Sequence, residues 1–280
     1  MILIADSGAT KTDWIYADTA EKHTLVQTSG INPFHQSEAH IHDIICNELL
    51  PQMGEASHDI SNIYFYGAGC LPETQDAVAG TLAISFPQAD ISINSDLLGA
   101  ARALCGNHKG IACILGTGSN SCLYDGMNIT NNIPPLGYIL GDEGSGAYIG
   151  KHFIADCLKG HMPKHICQDF MEEYKLTKAD ILKRVYREPH ANRFLANITP
   201  YIYKVRHIPE VHQLLTDSFT QFIRRNIFQY HSQIYVSFVG SIAWYFQEEL
   251  KETAEAHGVV IGSIIKEPIH NLLKYHINQI

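Results

Sequence analysis

The sequence opens with a stretch, MILIADSGATKTDW, whose residue types and order could bind an anion. An apolar run ends on Asp6 and breaks at once into a turn of small and polar residues at positions 7–11. A strand that turns through a glycine in this way presents backbone N–H groups to a phosphate. Asp, Ser and Gly are equally the residues that an ordinary hairpin corner selects, so this stretch alone leaves both interpretations open.

A second turn of the same design, Gly-Thr-Gly-Ser-Asn, occupies residues 116–120. One such turn is weak evidence, because many hairpins contain similar residues. Two of them at equivalent places in two halves of the chain indicate a clamp around a polyphosphate, with Asp6 available for a magnesium ion or its waters. A third glycine turn, at residues 240–243, would let a flat group approach a helix N-terminus, although alone it is more typical of a plain connection.

Acidic residues precede two of the expected helices. Asp96 lies between the strand-like ISINS and the helix-like LLGAARAL, where it could cap the helix unless the neighbouring Ser95 does so. Asp142 and Glu143 come just before another helix, where carboxylates favour the N-terminal dipole. Both positions therefore have a structural interpretation beside any chemical one.

The segment CLKGHMPKHIC brings potential zinc ligands close together in sequence, namely Cys157, His161, His165 and Cys167. Gly160 and Pro163 instead favour the end of one helix and a turn into the next. No CxxC pair occurs in the chain. The sequence therefore favours a connection between helices over a metal site.

The composition, with 45% hydrophobic and 18% charged residues, predicts a soluble globular protein, and the length of 280 residues allows one large domain but favours two. The net charge of −9, without a cluster of Lys and Arg, makes nucleic acid a poor candidate partner. No apolar run is long enough to cross a membrane, and no secretory signal is recognisable, so we expect a cytoplasmic protein without a membrane partner. The 7 scattered cysteines fit free thiols in a reducing compartment.

The elements that must position these residues alternate between strands and helices. ILIAD, WIYAD and HTLVQT predict an antiparallel meander, and two further strands separated by helices follow up to about residue 105. The pattern then restarts with GIACILGTGSNSCLYDG, continues through a long helical stretch at roughly 168–231, and ends in a helix from Pro268. This α/β pattern predicts a duplicated fold with domains at 1–107 and 108–280, in which the last helix could pack back on the first domain.

The ordered set DSGATKTDW, SD, GTGSNS, GDEGSG and VGSIA resembles the actin-like, ribonuclease-H-like superfamily of ATPases and sugar kinases. More narrowly, it resembles the BadF/BadG-type ATPase family and its N-acetylglucosamine kinase-like members. The resemblance spans nearly the whole chain, and PLGYILGDEGSGAYIG is its most specific piece. It implies two ribonuclease-H-like domains with an interdomain cleft, ATP and Mg²⁺ in that cleft, and γ-phosphoryl transfer to a hydroxyl of an amino sugar, with N-acetylglucosamine as the expected acceptor.

The resemblance also implies roles for individual residues. It assigns Asp6 to the metal and Asp96 to the general base. The implied nucleotide and phosphate ligands are Gly8, Thr10, Lys11, Gly116, Thr117, Gly118, Gly240 and Ser241. The implied sugar ligands are Asn32, Thr117, Gly118, Asn120, Gly137 and Asp142. Asn32 precedes a proline, so it is also typical of a turn.

Two other functions found on this fold stay open. One is an ATPase activator of acyl-CoA reductases or dehydratases, whose iron–sulfur cluster is bound by cysteines at a dimer interface. Cys105 and Cys113 are close in sequence here but lack a glycine-flanked ligand pattern. The other is a non-catalytic sugar or nucleotide sensor, although the sequence leaves no room for a helix-turn-helix before the first phosphate turn. The sequence does not identify the sugar, and a homodimer is compatible with it.

Overall fold

The computed structural model describes residues 1–8, 10–232 and 234–278. The strands are β1 (Ile2–Ser7), β2 (Lys11–Ala17), β3 (His23–Ser29), β4 (Asn62–Gly67), β5 (Asp90–Ser95), β6 (Gly110–Leu115), β7 (Ser119–Tyr124), β8 (Ile129–Asn132), β9 (Val236–Val239) and β10 (Ile261–Ile265). The α-helices are α1 (Glu38–Ile44), α2 (Leu50–Met53), α3 (Gln75–Ser85), α4 (Asp96–Cys105), α5 (Gly137–Leu140), α6 (Gly146–Lys159), α7 (Lys164–Tyr174), α8 (Lys178–Tyr186), α9 (Ala191–Ala196), α10 (Thr199–Lys204), α11 (Pro209–Phe222), α12 (Ser241–Tyr245), α13 (Gln247–Ala256) and α14 (Ile269–Ile277).

Contacts between residues divide the chain into two compact units. The first unit contains Met1–His108, Gly126–Ile129 and the segment from Glu267 onward, and the second contains Lys109–Asp125 and Thr130–Lys266. The last helix, α14, therefore belongs to the first unit. The domain boundaries predicted from the sequence, 1–107 and 108–280, stay a prediction.

The first unit is built on a sheet in the order β3-β2-β1-β4-β5. β1 pairs antiparallel with β2 and parallel with β4, and β4 pairs parallel with β5. Leu3, Ala5 and Trp14 are fully buried in its core, so β1 is a central strand. The predicted meander is confirmed, and the parallel pairing aligns the carboxyl ends of β1, β4 and β5 at one edge, where Asp6 and Asp96 stand.

The second unit repeats this design with a sheet in the order β10-β9-β6-β7-β8. Here β6 is the central strand, antiparallel to β7 and parallel to β9, and β9 pairs parallel with β10. Among the described residues, each sheet contains five strands, and the central strand of each pairs antiparallel with one neighbour and parallel with the other. The predicted α/β fold of two ribonuclease-H-like halves is therefore confirmed.

The helical stretch predicted at 168–231 is a series of separate helices rather than one. Lys175, left-handed with φ of 50°, ends α7, α8 ends at Tyr186, and His190, left-handed with φ of 61°, directly precedes α9. Pro200 and Pro209 stand in the first turns of α10 and α11, where a missing N–H costs little. The rings of Phe153 and Phe170 pack 5.4 Å apart within the core of these helices.

The connection predicted from CLKGHMPKHIC is present. α6 ends at Lys159 with Gly160 in the left-handed conformation, and α7 begins after Pro163. Within residues 1–8, 10–232 and 234–278, no group of three His, Cys, Asp or Glu side chains is arranged to hold a metal ion. In the same residues, no helix combines the length and the apolar character that a bilayer crossing requires.

The last helix is tied to the first unit through a buried histidine. Arg102 Nη1 of α4 donates a hydrogen bond to the Tyr66 hydroxyl at 2.7 Å, and this hydroxyl lies 2.8 Å from His276 Nε2. The Tyr64 ring stacks on His276 at 3.7 Å between centroids. Burial, and secondarily the Arg102 charge, lower the pKa of His276 to about 4.

This lowered pKa predicts acid-sensitive anchoring of α14. Between about pH 6.5 and pH 4 the unfolded chain binds a proton at His276 that the folded chain excludes, so the free energy of unfolding falls as the pH falls. His276→Gln keeps a hydrogen-bond acceptor that does not titrate. We expect the melting temperature of the parent to fall relative to this variant by about 5 °C between pH 7 and pH 4.5. His270→Gln, at an exposed histidine of the same helix, should show no such difference.

Candidate active site

Asp6 stands near the carboxyl end of β1 and is half-buried. Burial, and then the negative charges of Asp96 and Asp13, raise its pKa to about 7, with Lys11 acting in the opposite direction. The side chains around Asp6 therefore do not balance the negative charge of its carboxylate. A cation would supply the missing positive charge.

Asp96 is the first residue of α4, but it is not the N-cap of this helix. Ser95 fills that position, and its Oγ accepts a hydrogen bond from the Leu98 N–H at 3.2 Å. Asp96 Oδ1 accepts a hydrogen bond from the Leu97 N–H at 2.8 Å. Burial raises the pKa of Asp96, and hydrogen bonds from the backbone N–H groups of Leu97 and of Asp96 itself oppose the shift. The capping interpretation of Asp96 is therefore wrong, because the neighbouring serine takes that role.

Lys11, at the start of β2, is paired with two carboxylates. Its Nζ lies 2.8 Å from Asp13 Oδ2 and 3.0 Å from Glu267 Oε1. The carboxyl groups around Asp6 thus outnumber the lysine, and their oxygens are the ligands that Mg²⁺ prefers. Since Mg²⁺ in nucleotide sites uses one or two carboxylates, waters and phosphate oxygens, it does not need a protein cage of three ligands. The donors present fit a magnesium ion at Asp6.

The turn after β1 leaves space above Gly8. The Gly8 N–H donates to the Lys11 carbonyl at 3.0 Å, and the Thr10 carbonyl accepts from the Gly30 N–H at 3.1 Å. A Cβ at Gly8 would meet only the Lys11 carbonyl, at 3.7 Å, and Gly8 does not adopt a left-handed conformation. Folding therefore does not demand a glycine here, and the space fits a ligand that approaches the backbone.

Gly8→Val tests this space directly. We expect the variant to fold with a melting temperature near that of the parent, because the backbone of Gly8 is open to any residue. Its nucleotide affinity should fall by about 10²-fold or more, since the side chain would occupy the volume of a phosphate. Isothermal titration with ATP and Mg²⁺ measures this. Gly80→Val, where the nearest side-chain atom is 3.6 Å from the built Cβ, is the matched control. Unchanged ATP affinity in folded Gly8→Val would remove this turn from the nucleotide site.

Asn32 has the turn role that its sequence position suggests. Its Oδ1 accepts a hydrogen bond from the Phe34 N–H at 3.0 Å, and its own N–H donates to Gln36 Oε1 at 2.7 Å. Gly69, at φ 77°, lies against the Asn32 side chain, where a Cβ would collide with it. In the described part of the chain, no acceptor is bound by the Asn32 side-chain N–H₂, so this group is available to a ligand hydroxyl.

In the second unit, the predicted phosphate turn is supported by the start of α6. The Gly116 N–H donates to the Gly118 carbonyl at 2.9 Å. The N–H groups of Gly146 and Ala147 donate to the carbonyls of Gly116 and Thr117 at 2.8 and 3.0 Å. A Cβ at Gly116 would meet nothing within 4 Å. The start of α6 therefore holds the carbonyl groups of this turn, while the space beside the Gly116 Cα stays open, as at Gly8.

Asp142 lies against the same turn. A Cβ at Gly118 would lie 3.1 Å from Asp142 Oδ2, and the Ser119 N–H donates to Asp142 Oδ1 at 3.3 Å. Asp142 is only 8% exposed and adopts a left-handed conformation with φ of 52°, which is rare for a residue other than glycine. Burial raises its pKa to about 6, the Ser119 N–H opposes the shift and Glu143 adds to it. A strained, desolvated carboxylate of this kind is typical of a functional site.

Asp142 is not the N-cap of α6. Ser145 caps α6, with its Oγ accepting from the Tyr148 N–H at 3.1 Å. The Asp142 N–H instead donates to the Pro135 carbonyl at 2.9 Å, which closes the loop that carries α5. The Asp142 carboxylate is therefore free of a capping role.

The other predicted sugar ligands have different degrees of involvement in the fold. Asn120 Oδ1 accepts hydrogen bonds from the Ser121 N–H at 2.9 Å and from Asn132 Nδ2 at 3.0 Å, so its oxygen is already engaged. Gly137, at φ 73°, is exposed at the start of α5. Lys151 Nζ donates to the Tyr138 carbonyl at 2.9 Å and so ties α5 to α6.

A cavity of about 500 Å³ in the second unit collects several predicted nucleotide ligands. Gly116, Thr117 and Ser241 all line it. Gly240 precedes Ser241 with φ of 120°, and a Cβ there would collide with the Leu115 carbonyl, so this turn requires glycine. The remaining walls include residues that the sequence analysis missed: Asn197, Tyr203, Lys204, Tyr245 and Phe246. No glycine turn marks the first three of these, since Asn197 directly follows α9, and Tyr203 and Lys204 lie in α10.

No family model matches the chain, and no curated protein matches it. Among solved structures, one from Porphyromonas gingivalis, provisionally named an N-acetylglucosamine kinase, is 48% identical over 99% of both chains with a TM-score of 0.96. One from Chromobacterium violaceum with the same provisional name is 15% identical over 98% of both chains, with a TM-score of 0.71.

A ROK family glucokinase from Streptomyces griseus, solved with glucose and AMPPNP, is 11% identical over 98% of this chain and 97% of its own, with a TM-score of 0.57. At these low identities, the Chromobacterium and Streptomyces proteins show the fold alone. The Porphyromonas protein shows more, because nearly half of its residues are the same along the whole length. By this relationship and by its two ribonuclease-H-like halves, the chain belongs to the BadF/BadG-type ATPase family, among its N-acetylglucosamine kinase-like members.

Proposed function

We propose that this protein transfers the γ-phosphoryl group of ATP to a hydroxyl of an amino sugar, with N-acetylglucosamine as the expected acceptor. The observation that carries the proposal is Asp96, a desolvated carboxylate at the carboxyl edge of the first sheet that Ser95 relieves of capping the helix. The name of the Porphyromonas relative supports the choice of acceptor.

Features of each unit support the proposed use of a nucleotide. The cavity lined by Gly116, Thr117 and Ser241 accepts the adenosine, because it combines aromatic walls with a glycine turn. The open space at Gly8 accepts a phosphate, with Thr10 and Lys11 as further ligands. Asp6 would hold Mg²⁺, which neutralises charge on the phosphate oxygens when bound.

Asp96 acts on the acceptor hydroxyl. A bond forms between the hydroxyl oxygen and the γ-phosphorus while the bond from that phosphorus to the bridging oxygen of ADP breaks, and Asp96 takes the hydroxyl proton. The raised pKa of Asp96 suits this role, because a more basic carboxylate is a better proton acceptor near neutral pH. Lys11, held between Asp13 and Glu267, offers its charge to the transferred group.

The sugar is held mainly by Asp142. A carboxylate that accepts hydrogen bonds from two neighbouring hydroxyls discriminates strongly against molecules that lack them, since it would otherwise stay buried and unpaired. Gly118 has no side chain, which keeps the approach to this carboxylate open. Asn32 offers its side-chain amide, and Thr117, Asn120 and Gly137 complete the proposed set.

One assay tests the proposed function. ADP release is measured with ATP and Mg²⁺ against a panel of hexoses, hexosamines and N-acetylhexosamines. We expect turnover to depend on the sugar and to be highest with N-acetylglucosamine. Sugar-independent ATP hydrolysis would favour the activator function, and binding without ADP release would favour a sensor.

The activator function has little support from the cysteines. Cys113 is fully buried in β6, and burial raises the pKa of Cys105 to about 11. Cluster ligands are thiolates, which such surroundings disfavour. In the described part of the chain no cysteine forms a disulfide, which supports the proposed cytoplasmic location. A homodimer remains an expectation, which light scattering would test.

Asp142→Asn separates the sugar site from the nucleotide site. Asparagine tolerates the left-handed conformation and retains the shape, but it removes the charge that accepts the sugar hydroxyls. We expect the sugar to lose about 2 kcal/mol of binding free energy, which raises its KM roughly 30-fold. The affinity for ADP should be unchanged. Glu143→Gln, next in sequence, is the control. Equal weakening of both ligands would assign Asp142 a structural role.

A further inference from the structure

One lining residue of the cavity assigned to adenosine, Tyr203, is contacted by a residue that does not itself line the cavity. Tyr203, near the end of α10, lines the cavity, and its ring meets Tyr245 and Phe246 edge to face at 5.8 and 5.6 Å between centroids. Phe246 is buried, whereas Tyr245 is 47% exposed. These contacts fix the edges of the Tyr203 ring.

Arg206 covers the face of the same ring. Its guanidinium carbon lies 4.1 Å from the Tyr203 centroid, and its Nη1 donates to the Tyr203 carbonyl at 3.0 Å. A cation at this distance attracts the ring electrostatically. Arg206 does not itself line the cavity; its guanidinium fixes a residue that does.

Arg206 is held in turn by Glu249 of α13. Glu249 Oε1 lies 3.6 Å from Arg206 Nε, and the Glu249 side chain is only 5% exposed. Its Oε2 is buried and accepts no hydrogen bond in the part of the chain that the structure describes. A buried carboxylate with one cationic partner contributes little to stability compared with an apolar side chain. Stability therefore does not explain why a glutamate occupies position 249.

We propose that Arg206 and Glu249 form a positioning pair that fixes the Tyr203 ring against the nucleotide base and so sets the affinity for ATP. The inference rests on the proposed function, because it takes the cavity as the adenosine site. Neither residue lines the cavity. The pair acts through the ring of Tyr203 alone.

The test is a double variant, Arg206→Met with Glu249→Gln, which removes both charges and leaves no buried ion uncompensated. We expect the KM for ATP and the Kd for ADP to rise by about 10-fold, while kcat stays within about 2-fold of the parent. Inhibition by inorganic tripolyphosphate, which has no base, should be unchanged. Tyr203→Leu should reproduce these changes.

Two further variants test the physical cause. Arg206→Lys keeps a cation near the ring and should recover part of the lost affinity. Lys251→Met removes an exposed cation of α13 that donates to Gln247 Oε1 at 3.0 Å, and it should behave as the parent. Parent-like ADP affinity in the double variant overturns the inference. So does an equal loss of tripolyphosphate inhibition, since a general structural defect would weaken both ligands.

Ser241→Trp distinguishes failure of the inference from failure of the proposed function. This side chain would fill the cavity from the first residue of α12. If ADP binds Ser241→Trp as it binds the parent, the nucleotide does not occupy this cavity, and the proposed site and the inference fail together. If Ser241→Trp loses ADP but the double variant does not, the positioning role alone fails.

Discussion

Replacing Asp96 by asparagine should abolish most of the turnover while leaving the protein folded and able to bind its ligands. The asparagine Oδ1 can still accept from the Leu97 N–H, and Ser95 still caps α4. The basicity of the carboxylate is lost. We expect kcat to fall by at least about 10²-fold, with ATP and sugar affinities within a few-fold of the parent.

Stability provides an internal check on the Asp96→Asn result. Because burial raises the pKa of Asp96, its ionised form is disfavoured in the folded protein. Asp96→Asn should therefore melt at or above the temperature of the parent at pH 8. Asp90→Asn, at an exposed carboxylate at the start of β5, serves as the control. Single-turnover rates decide the matter, and retained turnover in Asp96→Asn would exclude this residue as the base.

Replacing Asp6 by asparagine should both stabilise the fold and abolish activity. The folded pKa of about 7 lies above the ordinary 3.8, so the folded chain binds an additional proton across this range. The free energy of unfolding of the parent therefore decreases as the pH rises from about 4 to 7 and stays low above it. The asparagine side chain carries no charge, so at pH 8 the gain is on the order of 2–4 kcal/mol.

The stability advantage of Asp6→Asn over the parent should disappear in acid. Magnesium bound to the parent should reduce the same advantage at pH 8. At pH 4 the melting temperatures of Asp6→Asn and the parent should converge. At pH 8, ADP alone should stabilise both proteins, but the further stabilisation on adding Mg²⁺ should appear in the parent and be absent from the variant, because the proposed metal ligand is missing. Asp43→Asn, at an exposed acid on α1, should show neither effect. A variant that is less stable than the parent at pH 8 would contradict this account of the Asp6 surroundings.

The features that the sequence predicted well are local ones. The glycine turns at Gly8 and Gly116 and the alternation of strands and helices can be recognised over a few residues, because backbone freedom and apolar spacing act at short range. The choice between Ser95 and Asp96 as the cap was also a local question, which the sequence left open and the hydrogen bonds decided.

The features that it missed depend on distant residues or on strain. The Lys11–Glu267 ion pair joins positions 256 residues apart, and no local pattern indicates it. Tyr203 and Arg206 belong to a helical series in which the sequence showed only continuous helix. The left-handed backbone of Asp142 was equally hidden, since only a small fraction of aspartates adopt this conformation.

The attachment of the Gly116–Gly118 turn to the start of α6 limits how acceptor preference can be redesigned. The same few residues fix the turn through the Gly146 and Ala147 N–H groups and set Asp142 beside Gly118. A substitution that moves one of these parts therefore disturbs the other. Loop exchange between relatives with different acceptors should transfer the acceptor preference only when residues 116–119 and 135–147 are exchanged together.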